Sequence, residues 1–142
     1  MKLVPPQLIE YDNLKTYFID LLDHHYLSID GLPYNWDKLK ANPISPATIE
    51  KTINYLINLI NKIQEQELTW TPPQDITPIP NGGVMIYWIN LNTIYIQINI
   101  LPNNDKVVTL IESPLGELNS IITTINDIPK SVIEIITYNE NN

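Results

Sequence analysis

Polar and apolar residues alternate without a break through residues 93–100, with Ile94, Ile96, Ile98 and Ile100 on one side and Thr93, Tyr95, Gln97 and Asn99 on the other. A period of two belongs to a strand with one buried and one wetted face, and slipping its register by one residue would expose every isoleucine. The preceding run is apolar or aromatic on both sides, Val84, Ile86 and Trp88 against Met85, Tyr87 and Ile89. Asn81-Gly82-Gly83 ahead of it supplies the positive-φ positions that a tight turn needs. Residues 80–101 therefore predict a β-hairpin, and the strand with two apolar faces asks for cover on both.

Upstream the period changes to that of a helix. Leu14, Phe18, Leu21, Leu22 and Tyr26 predict an amphipathic helix over residues 12–27, capped by Asp12 or Asn13. Gly31, Pro33, Asn35 and Pro43 break any period, so residues 28–42 read as a connection anchored by Tyr34 and Trp36. A second helix starts at Ser45-Pro46, with the serine as cap and the proline where its missing N–H costs nothing. Ile44 and Ile49 are spaced for a hydrophobic staple, and Ile49, Ile53, Leu56, Ile57, Ile60 and Ile63 form an apolar stripe that ends near Glu67. Pro72, Pro73, Pro78 and Pro80 exclude a helix or a central strand, so residues 69–80 run extended with Trp70 and Ile76 against the core.

Downstream, Pro102-Asn103-Asn104-Asp105 reads as a turn and residues 106–112 as a third strand. Ser113-Pro114 repeats the helix start, and Leu115, Leu118, Ile121, Ile122 and Ile125 predict a third helix stopped by Pro129 and weakened by Gly116. Residues 130–138 alternate well enough for an edge strand, with an extended tail as the alternative, and residues 139–142 are expected to be loose. The expectation is one α+β domain over residues 1–142: two N-terminal helices, an antiparallel three- to four-stranded meander and a C-terminal helix packed on the sheet.

Composition narrows the chemistry. With no cysteine there is no disulfide, thiolate ligand or thiol nucleophile. No signal peptide and no membrane-length apolar run is legible, so a cytoplasmic protein is expected. The net charge is −8 and every base but the two histidines is lysine. A negative field without arginine argues against nucleic acid and for a basic or neutral protein partner. The preference for isoleucine, asparagine and lysine is attributed to an AT-rich genome.

No catalytic constellation stands out. Asp20 and His24 lie one helical turn apart, but adjacent His24 and His25 point to different faces, so a solvated helix end is read there instead of a metal site. Gly82-Gly83 precedes a strand, which excludes a phosphate-binding loop or a dinucleotide fingerprint. No serine sits in a G-x-S-x-G elbow, and the sixteen acids are scattered. No cofactor is implied. What remains is the outer face of the hairpin, where Tyr87, Trp88, Tyr95, Gln97 and Asn99 are the expected protein-binding residues, for a partner protein or for a homodimer.

Three segments carry a family resemblance: Trp36-Asp37, Asn42-Pro43-Ile44-Ser45-Pro46, and the run from Pro78-Ile79-Pro80-Asn81-Gly82-Gly83 to Trp88. Together they resemble a widespread group of small uncharacterised prokaryotic proteins, common in cyanobacteria, with a W-D loop, a P-x-S-P helix start and a P-x-P-[DN]-G-G hairpin. The match covers about half the chain, which departs from the group in lacking glycines after the W-D pair. The resemblance implies a fold and, by the analogy of paired small genes, a toxin–antitoxin or immunity role. The leading expectation is thus a non-enzymatic module that inhibits or neutralises a partner protein. The alternatives are a phage or mobile-element inhibitor of a host defence protein and a hydrolase whose carboxylates converge only in space.

Overall fold

Residues 11–90 and 93–137 are described by a computed structural model, and the expectations for the first residues and for the tail lie outside them. Helix α1 spans Tyr11–His24 and α2 spans Pro46–Glu65. The strands are β1 (Asp75–Pro78), β2 (Val84–Ile89), β3 (Tyr95–Ile100), β4 (Lys106–Glu112) and β5 (Leu118–Thr124). Helix α3 spans Lys130–Ile136. The protein is α+β: one antiparallel five-stranded sheet in the order β1-β2-β3-β4-β5, with the helices packed on one side. Among the described residues no helix is long and apolar enough to cross a membrane.

The C-terminal ends of α1 and α2 are closed by backbone hydrogen bonds. Asp12 and Asn13 lie inside α1, so neither stands at its N-cap. That helix stops earlier than its period suggests, because the Leu27 N–H bonds back to the Leu22 carbonyl and the Tyr26 N–H to the Asp23 carbonyl, both at 2.9 Å. This six-to-one closure needs a left-handed residue, and Tyr26 supplies it at φ 64°. Helix α2 closes the same way, Leu68 N–H to Ile63 carbonyl and Glu67 N–H to Gln64 carbonyl, with Glu67 at φ 55°. At its start the Ser45 hydroxyl accepts from the Thr48 N–H at 3.1 Å. Ile44 and Ile49 are both buried there, as the staple requires.

The hydrophobic core lies between α1, α2, α3 and the inner face of the sheet. Ile96, Ile98 and Ile100 are fully buried, and Val84, Ile86 and Trp88 face inward with them. Register fixes this: Ile86 pairs with Ile98 and Trp88 with Ile96, so Tyr87, opposite Gln97, points to the other side. Trp70 and Ile76 are tucked into the core as expected. The proline-rich segment does more than connect, since β1 pairs with β2 as an edge strand, a place where proline is tolerated.

Two predicted elements exchange character. The expected third helix is instead β5, paired along its length with β4. Its Ser113-Pro114 signal is used in a turn: the Ser113 hydroxyl accepts from the Glu117 N–H at 3.0 Å, and Gly116 takes φ 85°. Conversely, the expected edge strand over residues 130–138 is α3, where Val132, Ile133 and Ile136 are buried at helical spacing. Hence five strands stand where three or four were expected. Tyr34 is exposed and anchors nothing, whereas Trp36 is half-buried and its indole N–H donates to the Asn42 carbonyl at 2.9 Å.

Candidate functional site

Strand alternation places Met85, Tyr87 and Ile89 of β2, Tyr95, Gln97 and Asn99 of β3, Val108 and Leu110 of β4 and Leu118 and Ile122 of β5 on the outer side of the sheet. None of them belongs to the core cluster that the helices form with the inner face. Its centre is aromatic. The rings of Tyr87 and Tyr95 lie 6.0 Å apart and 32° from parallel, across a shallow cavity of about 190 Å³ that Gln97, Leu110, Glu112 and Leu118 complete. Burial, then the neighbouring Tyr95 and the Glu112 carboxylate, push the Tyr87 phenol above its ordinary range. Both rings are half-buried by their neighbours, so they are held in place while their edges remain open.

The polar members of the face are tied down. Gln97 donates to the Asn99 side-chain oxygen at 3.2 Å, and Asn99 donates to the Val108 carbonyl at 3.1 Å. A fixed amide ladder beside two fixed rings is a pre-organised surface, which lowers the ordering cost of binding. Trp88 does not belong to it. It is 2% exposed, and its indole N–H donates inward to the Thr71 carbonyl at 3.0 Å. Sequence alone leaves the register of β2, and so the choice between Tyr87 and Trp88 on the outer face, open; the β2–β3 pairing places Tyr87 there and Trp88 inside.

A second concavity, of about 650 Å³, opens at the β1 end of the fold between His24, His25, Tyr26, Trp36 and Asp75. His25 Nδ1 approaches Asp75 Oδ1 at 3.4 Å, and Thr77 donates to the other Asp75 oxygen at 3.0 Å. Asp20, the expected companion of His24, is not part of this wall. Among the described residues no three histidine, aspartate or glutamate side chains gather in a way that could hold a metal ion. Of the two cavities each has one carboxylate, Asp75 here and Glu112 on the sheet, so neither brings together the pair a carboxylate hydrolase needs. The His25–Asp75 contact joins positions fifty residues apart, and no spacing in the sequence signals it.

Comparison with protein-family models, with curated proteins and with solved structures found no match for the chain.

Proposed function

We propose that this chain is a non-enzymatic protein-binding module of the cytoplasm that uses the uncovered side of its sheet to hold, and thereby neutralise, a basic or neutral protein in the manner of an antitoxin or immunity protein. The observation that carries the reading is the Tyr87–Tyr95 pair, two rings braced on an open sheet beside a carboxylate. Tyrosines are strong interface anchors because they bury large area at little entropy cost, and the wider patch of Met85, Leu110, Leu118 and Ile122 gives them an apolar surround. The net charge of −8, with Glu112 at the groove, favours a cationic partner over an anionic one.

The test immobilises the wild-type chain and the Tyr87→Ala/Tyr95→Ala double variant and challenges both with extract of the source organism. A partner held by the wild type, weakened by salt and lost from the double variant while circular dichroism is unchanged, is the expected result. Equal capture by both chains would overturn the assignment of the site.

A further inference from the structure

The two margins of the sheet are built differently. β1 is four residues long, carries the charge of Asp75, and contains Pro78, which has no N–H to give a neighbour. Such features blunt an edge. β5 has none of them. It is seven residues long, free of proline, glycine and charge, and rich in β-branched side chains. The absence of charge extends from Leu118 to Asn126, in a chain whose net charge is −8. Not one residue of β5 is buried, and Leu118 and Ile122 are 64% and 66% exposed.

Its free backbone groups can be identified. The Ile125 N–H bonds to the Asp105 carbonyl at 2.8 Å and the Ser113 N–H to the Glu117 carbonyl at 2.9 Å. Both pairs lie on the β4–β5 register, so by antiparallel alternation the odd-numbered residues of β5 bond to β4. Leu118, Ser120 and Ile122 therefore turn both N–H and C=O away from β4, where no described strand lies, and Thr124 turns its N–H the same way while its carbonyl accepts from the Asp127 N–H at 3.0 Å.

We propose that β5 pairs antiparallel with β5 of a second copy, joining two sheets into one. A row of alternating donors and acceptors calls for an extended strand, and three features select an identical one. A two-fold axis at Ile121 sets Leu118 opposite Thr124 of the second copy and Ser120 opposite Ile122, so that no charged residue meets another along the strand. Glu117, just outside β5, then falls opposite the uncharged Ile125 of the second copy. An uncharged strand also offers a cationic segment nothing to select it by, whereas it lets two acidic chains meet where their repulsion is least. The contact is isologous and so closes on itself. Because opposed residues share a face, the tyrosine pairs of both copies look out from the same side.

The purified full-length chain tests this without any other protein, so its outcome is separate from that of the partner reading. Light scattering at about 100 µM, a concentration that populates even modest dimers, is compared for the wild type, Ser120→Pro and Ile122→Lys. Proline at position 120 removes an N–H that β4 does not use, and lysine at 122 sets like charges near the new seam. The expected result is a wild-type mass twice that of the chain, a monomeric mass for both variants with unchanged circular dichroism, and slow exchange of the Ser120 and Ile122 amides in the wild type alone. A monomeric wild type overturns the proposal and leaves the edge to a strand of some other protein. A dimer that survives both substitutions overturns it as well.

Discussion

Tyr87 and Tyr95 touch across a diagonal of the sheet: Tyr87 is opposite Gln97 and Tyr95 opposite Ile89, yet their ring centroids are 6.0 Å apart. Diagonal contact on an open face adds little to folding, because each ring keeps an exposed edge. Tyr87→Ala should therefore lower stability by only about 1 kcal/mol. Trp88→Ala, one residue along and on the inner face, should cost about 3–5 kcal/mol by opening a cavity and freeing the Thr71 carbonyl. Chemical denaturation of the two variants measures the contrast, and a similar loss in both would contradict the assignment of faces.

Tyr55 is fully buried, and its hydroxyl has no hydrogen-bond partner among the described residues. Burial, and secondarily the charge of Asp127, drive its phenol far above the ordinary value of 10.0. The folded state then holds a proton that the unfolded chain loses above pH 10, so stability is fully present below that pH and falls as pH rises, by up to roughly 1.4 kcal/mol per unit. Tyr55→Phe should stabilise the protein by about 1 kcal/mol at neutral pH, since an unsatisfied buried hydroxyl is removed, and should flatten the alkaline slope. Thermal unfolding at pH 7 and pH 11 reads both effects.

Lys51 reaches from α2 to the β3–β4 turn, where its ammonium donates to the carbonyls of Leu101 at 2.6 Å and Asn104 at 2.7 Å. Burial draws its pKa down, with Asp105 opposing. Lys51→Met keeps the stem but removes the donors, and should cost about 1–2 kcal/mol. Faster exchange of the Lys106 amide, which now donates to the Asn104 side chain at 2.8 Å, would show that the turn itself has loosened.

Glu67 closes α2 from the left-handed region at φ 55°, where a side chain strains the backbone. Glu67→Gly keeps the closing hydrogen bonds and should raise stability by about 0.5–1 kcal/mol, visible as a higher Tm. At Gly31 the opposite holds. A Cβ there would fall 1.9 Å from the Ile44 carbonyl oxygen, so Gly31→Ala should break the Leu32–Ile44 bridge and unfold the preceding loop.

What was legible in the sequence follows from how far each residue's signal reaches. The period of two through Ile96, Ile98 and Ile100, and the Ser45-Pro46 start with its long stripe, are local and survive intact in β3 and α2. Over residues 118–124 and 130–136 the sequence suggests a helix and a strand where the structure has a strand and a helix, since over seven residues both periods fit. The β-branched cluster Ile121-Ile122-Thr123-Thr124 was the better guide, and the serine-proline cap was misleading because a turn can use the same hydroxyl. For the site, alternation alone placed Tyr95, Gln97 and Asn99; choosing between Tyr87 and Trp88 required the pairing of β2 with β3. The His25–Asp75 contact, set by tertiary packing, had no local trace.

The prolines around β1 have a consequence for the state of this isoleucine-rich chain at high concentration. With Pro78 in β1 and Pro72, Pro73 and Pro80 flanking it, one flank of the molecule is sealed against backbone pairing. Strand-by-strand growth needs two receptive flanks per molecule. Growth through β5 would therefore stop after a single addition, short of the open-ended polymerisation into fibres that an isoleucine-rich composition invites.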